Sequence, residues 1–248
     1  MLKASSTSAA TRAPQVRRRA AAARPDRRQA ILLAAERLFA KNGYHAVTIR
    51  QIAEEAGVPL ALVGYHYGQK HELFHAIFAH WNHTIEERLA GLRAVESDAR
   101  DASTVRRIVE AFTGPVIRLR ASAEGESYAL LVARELYHAT EETDRVLRAY
   151  FDPLAHAYIE ALHRQLPHAS RGQVAWCYQF ALGALLHHLS DVRIERLSNG
   201  ECGMRDALGD QMLVAFIVGG IEAALPVPAR TGTRRKTSLP SKPVRRQA

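Results

Sequence analysis

The residues in this chain with the plainest chemical potential are His71, Glu72 and His75. The run His71-Glu72-Leu73-Phe74-His75 reads His-Glu-x-x-His. On a helix that spacing puts two imidazoles on one face as zinc ligands, with the glutamate as general base of a metallopeptidase. A catalytic zinc needs a third protein ligand, and Glu96 lies at a believable distance downstream. The pairs His80/His83 and His187/His188 are weaker metal candidates. Two cysteines, Cys177 and Cys202, allow no disulfide framework and read as small core hydrophobes in a reducing cytosol. No nucleophile elbow, phosphate-binding loop or dinucleotide fingerprint occurs. An enzymatic reading thus rests on one five-residue match, and the elements around it decide what those residues do.

Those elements read as helices. From about Gln29, the residues Ile31, Ala34, Ala35, Leu38 and Phe39 recur at the spacing of one buried stripe, and Asn42-Gly43 ends it. Thr48-Ile49-Arg50-Gln51 is a capping box opening a second helix, with Ile49, Ile52, Ala53 and Ala56 as its stripe and Gly57 as its stop. Val58 plugs the turn, and Pro59 suits the first position of a third helix running to about Tyr67. Gly68-Gln69 breaks that helix, and a fourth begins near Lys70, so the His-Glu-x-x-His run falls in its first turns. Further helical segments are expected over about 70–95, 103–121, 125–139, 143–166, 170–191 and 204–225. Gly114-Pro115, Gly125, Pro167-His168 and Ser198-Asn199-Gly200 punctuate them, and Pro153 implies a kink or break. With no period-2 strand pattern and no internal repeat, the fold class is all-α, with about nine helices.

Three short helices with a Gly-led turn between the second and third can seat a recognition helix in a DNA major groove. The runs Thr48 to Val58 and Val63 to Leu73 closely resemble the signature of the tetracycline-repressor (TetR) family, and Ala34, Leu38, Phe39, Gly43 and Tyr44 also match. The resemblance covers about residues 27–75 and absorbs the His-Glu-x-x-His run, with Lys70 and Leu73 in register. It implies that the Thr48 hydroxyl and amide face a phosphate and that Lys70 is a cation beside the backbone. It also places Tyr65 and His66 late in the recognition helix, near phosphate and base edges. Arg50 matches a position that can reach the groove, where its fork suits guanine O6 and N7. Pro59 stands where the family usually has Ser or Thr, and Gly64 replaces the first Tyr of a common aromatic pair. Leu60 faces the bases with only apolar contact to offer. Together Thr48, Arg50, Pro59, Leu60, Ala61, Leu62, Gly64, Tyr65, His66 and Lys70 form the candidate DNA-reading set. Residues 29–74 hold four basic and four acidic side chains, so this head is neutral overall.

The net charge of +9 lies in two tails: residues 1–28 and 226–248 each carry +7, which leaves the middle at about −5. Both tails are poor in large apolar residues and read as disordered, and they could add salt-sensitive phosphate contacts. A nonspecific, nucleoid-like DNA binder is the alternative this basicity raises. The expected organisation is a basic arm at 1–24, a helix-turn-helix DNA-binding domain at 25–84, a helical effector-binding and dimerisation domain at 85–225, and a basic tail at 226–248. No apolar run reaches the roughly 18 residues needed to cross a bilayer, and no secretory h-region appears, so a cytoplasmic protein is expected. The eighth and ninth helices are apolar over more than one face, which points to a homodimer through them. The stretch from Ala133 to Leu136 and from Phe180 to Leu185 is weakly similar to the fatty-acid-responsive, PsrA-like branch, which implies an apolar small-molecule effector. Arg118, Tyr128, Arg134, His138, Tyr178 and His187 are the candidate polar groups of its pocket. The expected function is a ligand-released repressor of operator DNA, with neither cofactor nor metal.

Overall fold

The computed structural model describes residues 26–97, 103–137, 140–204 and 206–227. The arm at 1–24, His138, the side chain of Glu96 and the tail beyond Val227 lie outside the described residues. Among the described residues every regular element is helical.

The N-terminal helices form where their caps and stripes direct. Asp26 accepts from the Arg28 amide at 3.0 Å and opens α1 (Arg27–Asn42), which ends at Gly43 with φ 84°. Its buried face is Ile31, Leu32, Ala34, Ala35, Glu36 and Phe39. The stripe is therefore rotated from the expected one: Leu38 is half-buried, and a glutamate sits inside it. The Thr48–Gln51 capping box opens α2 (Ile49–Glu55) as expected. A turn through Gly57 (φ 63°) leads to α3 (Leu60–Tyr67), where Pro59 is the cap, one residue before its expected helical position. Then α4 (Lys70–His80) follows Gly68, whose φ of 68° only glycine adopts readily.

Beyond α4 the chain breaks more often than its apolar pattern suggests. The expected helix 70–95 divides at Trp81 into α4 and α5 (Asn82–Ser97). Trp81 is turned aside because its carbonyl accepts from the Thr84 hydroxyl at 2.8 Å and its indole N–H reaches α1. Gly114-Pro115 does not punctuate: α6 (Thr104–Ala121) runs through Pro115. After α7 (Glu126–Tyr137) comes α8 (Glu141–Val146), then a π-helical turn at Leu147–Phe151, then α9 (Asp152–Gln165). Pro153 sits in the first turn of α9, where it needs no amide hydrogen, and the π turn supplies the expected break. The remaining elements are α10 (Arg171–Ser190), the short α11 (Ile194–Leu197) and α12 (Ala207–Ala224).

By length and composition α12 is apolar enough to cross a bilayer. That corrects the expectation drawn from uninterrupted runs: Asp210 and Glu222 interrupt the sequence near the two ends of the helix only. In the fold α12 lays Leu213, Ile217, Val218 and Ile221 against the body core.

Two apolar clusters hold the molecule. One joins α1–α4 and recruits Tyr128 and Leu131 of α7 and Val146 of α8. The other joins α5, α6, α9, α10 and α12. The head therefore rests on α7, which also packs beside α6 and α10 of the body.

Candidate nucleic-acid interface

On α3, Val63 is the buried side chain. Leu60, Ala61, Gly64 and Tyr65 are turned out, with Tyr65 81% exposed, while Leu62 and His66 are half-buried. A tyrosine exposed this far has both its ring and its hydroxyl free to contact a partner. Tyr65 stands edge-on to His66 at 5.1 Å. The far end of α3 is pinned to α1 by the Tyr67 hydroxyl, which donates to the Arg28 carbonyl at 2.9 Å, and by the Arg28 guanidinium over the Tyr67 ring.

Beside α3, Arg37 pairs with Glu55 at 3.0 Å and ties α1 to α2. Arg50 is exposed and has no hydrogen bond or ion pair among the described residues, so its fork remains available. Thr48 differs: its amide and its hydroxyl both donate to Gln51 Oε1, at 2.8 and 2.9 Å. The two groups assigned to phosphate by resemblance thus serve the helix cap in the DNA-free chain. Lys70 Nζ lies 4.4 Å over the Tyr44 ring, and burial pulls its ammonium below the ordinary lysine range.

The same geometry accounts for the His-Glu-x-x-His run. The Gln69 amide donates to Glu72 Oε2 at 2.6 Å, so the would-be general base caps α4. His75 Nε2 lies 3.8 Å from Glu142 Oε2 on α8. Among the described residues no three His, Cys, Asp or Glu side chains gather as metal ligands.

Behind the head, a cavity of about 40 Å³ lies between α5, α6, α7 and α10. Its walls are apolar apart from Thr84, Arg88 and Tyr128. Of the expected pocket residues, Tyr128 lines it and the others described do not. Arg118 pairs with Glu87 at the surface at 2.7 Å, and Arg134 reaches the Lys41 carbonyl on α1 at 3.4 Å. Tyr178 packs its ring 5.4 Å from Phe112, and His187 pairs with Asp191 beside a separate groove between α10 and α12. The periodicity of Ala- and Leu-rich helices does not say which of their polar residues face one another, so the expected set scattered. Arg88, outside the expected set, also borders the cavity and carried a sequence signal: on α5 it follows Ile85 by three and precedes Leu92 by four, a charge on an apolar stripe.

Tyr128 also faces the head. Its ring stacks on Trp81 at 5.1 Å and 13°, and the Trp81 indole N–H donates to Glu36 Oε2 at 2.6 Å. Glu36 is 1% exposed, and desolvation raises its carboxyl to about 7 despite that hydrogen bond. A continuous contact path therefore runs from cavity wall to the first helix of the head.

An exposed helix set across a capped partner helix, carried on a helical body, defines a helix-turn-helix DNA-binding regulator. Residues 31–77 match the family model for bacterial regulatory proteins of the tetR family, and residues 110–220 match the tetracyclin repressor-like C-terminal domain. The chain belongs to the TetR family. It is 32% identical over 90 residues to the HTH-type transcriptional activator FasR of Mycolicibacterium smegmatis, a stretch covering 36% of this chain and 40% of that relative. The fatty acid degradation regulator FadR from Bacillus halodurans shares the fold, with TM-score 0.54, 17% identity, and coverage of 79% of this chain and 97% of that one. So does the TetR family transcriptional regulator PfmR from Thermus thermophilus, with TM-score 0.51, 19% identity, and coverage of 81% and 99%.

Proposed function

We propose that this TetR-family regulator is a cytoplasmic, homodimeric repressor released from operator DNA by an apolar effector. The observation that carries the reading is Tyr128, which lines the cavity and also belongs to the core of the head. An effector that spreads the cavity walls moves α7, and the head resting on α7 moves with it. A dimer with altered head spacing no longer fits two successive major-groove faces of a near-palindromic site. In this reading residues 25–84 form the head and 85–225 the effector-binding and dimerising body. Arg50, Leu60, Tyr65 and His66 meet base edges, with Pro59, Ala61, Leu62 and Gly64 giving close approach. Lys70 and Thr48 meet phosphates, which requires Gln51 to release Thr48.

The dimer forms through α10 and α12. Trp176, Phe180, Met212 and Phe216 are each more than 60% exposed in the single chain, on helices whose other faces are buried. Gly183, Gly219 and Gly220 have open space where a Cβ would stand, which lets a partner helix come close.

The test is fluorescence-anisotropy titration against DNA from upstream of the protein's own gene, with a scrambled duplex and a Lys70→Ala variant. Preference for the genuine duplex, lost in the variant, supports the reading. Equal affinity for both duplexes favours a nonspecific binder instead. The name of the M. smegmatis relative favours a second output, activation through the same site. A reporter fused to the operator separates the two, since deleting a repressor raises expression and deleting an activator lowers it.

A further inference from the structure

Val63 sets which way α3 faces, because it is the side chain of that helix buried in the core of the head. Leu60, Ala61, Gly64 and Tyr65 follow the three- and four-residue spacing of the outward face, and all four are exposed. Among those four the Tyr65 hydroxyl, at the far end, is the one side-chain group able to hydrogen-bond. The near end has none. Pro59 caps α3 without a side-chain hydrogen bond, and Leu60 and Ala61 bring hydrocarbon. Leu60 is 46% exposed, and Gly64, one turn on, has open space where a Cβ would stand, so another surface can come flush against the leucine.

The N-terminal turn of a recognition helix is the part that reaches base edges in the major groove. Hydrocarbon there cannot pair with the donors and acceptors that distinguish most bases. The groove offers it one apolar group, the 5-methyl of thymine. Resting on the reading of α3 as the helix that enters the groove, we infer that Leu60 determines specificity by contact with a pyrimidine 5-methyl group. Each operator half-site sets a thymine against it, and 5-methylcytosine fills the same place. The leucine touches the methyl and makes no hydrogen bond to the O4 or N4 beside it, so it separates thymine and 5-methylcytosine from uracil and cytosine but not from each other. Arg50, exposed on α2, supplies the fork that reads a neighbouring guanine, so the methyl contact sets one position of the half-site and not all of it. Methylation of a cytosine at that position therefore converts a mismatched half-site into a matched one.

The experiment uses the full chain and the duplex it enriches most strongly from a random-sequence pool. Fluorescence anisotropy compares that duplex with versions in which deoxyuridine replaces thymine at one position at a time, in both half-sites together. At one position the loss should be roughly 10–20-fold, from about fourfold for each of two buried methyl groups. At the same position 5-methylcytosine should bind roughly tenfold more tightly than cytosine, from which it differs by the methyl alone. Leu60→Ala places a strong helix former at an exposed site, so the fold is kept, and the uracil penalty there should fall to about twofold or less. Lys70→Ala should weaken every duplex and leave the penalty as it was. A uracil scan without such a position, a penalty undiminished in Leu60→Ala, or 5-methylcytosine no better than cytosine overturns the inference and leaves sequence-specific binding standing. A pool from which no duplex is enriched refutes the operator reading and this inference with it.

Discussion

Glu36→Gln isolates the one buried carboxyl on the path between cavity and head, and its effect has a definite sign. Glu36 has an ordinary value of 4.5 when unfolded and about 7 in the fold, with desolvation the larger cause and the Trp81 hydrogen bond opposing it. An acid whose folded value is raised favours folding only while protonated. Its contribution is greatest below pH 4.5 and is lost progressively as pH rises through 7. The native state holds the extra proton in that window, so stability falls with rising pH. Two and a half pH units at about 1.4 kcal/mol each bound the full swing at roughly 3.5 kcal/mol, and between pH 5 and 8 roughly 2–3 kcal/mol of it is traversed. Glutamine keeps an acceptor for the Trp81 indole but cannot ionise. Urea denaturation followed by tryptophan fluorescence at pH 5, 6, 7 and 8 should therefore give converging curves at pH 5. At pH 8 the glutamine variant should be the more stable of the two. All other ionisable groups are common to both proteins and cancel in the difference. Parallel stability-versus-pH profiles for parent and variant would refute a buried, proton-holding Glu36.

Two further outcomes follow from the surfaces. Phe216→Glu puts a charge on the most exposed large side chain of α12, at 73%, and should weaken self-association roughly a hundredfold by sedimentation equilibrium while leaving the helical spectrum intact; an unchanged dimer would move the interface elsewhere. Removing residues 1–24 takes six basic groups from a protein whose head is neutral. It should lower operator affinity and flatten the dependence of log K on log salt, and an unchanged slope would show that the arm does not touch phosphates.

What was legible in the sequence was what is local. The Thr48–Gln51 box, the glycine turns at Gly57 and Gly68, and the break around Pro153 follow from backbone geometry and from side chains three or four residues apart. They set the helix-turn-helix and its exposed face. The division at Trp81 was not legible, because it depends on a glutamate forty-five residues earlier. Pro115 inside α6 misled for the opposite reason: the surrounding core holds the helix together across a residue that breaks isolated ones. The pocket residues could not be chosen from polarity alone, since Arg118 and His187 satisfy themselves at the surface.

Two buried charges were nevertheless marked in the sequence, by a different sign from the one sought. Glu36 on α1 and Arg88 on α5 both sit where the helical stripe calls for an apolar side chain, and both are buried. Either could be replaced by a hydrocarbon of similar size with little loss of packing, and Arg88 with a gain in stability. Tyr128 lies between them, stacked on Glu36's hydrogen-bond partner on one side and bordering Arg88's cavity on the other. Close apolar packing between α7 and the head already resists displacement. The 2.6 Å bond from Trp81 to Glu36 adds a directional tie that fixes the indole to α1, so a displacement of Trp81 would have to be followed by α1 or break that bond. A charge on an apolar stripe is thus a better guide to what lies buried between the head and the body than any cluster of polar residues on the surface.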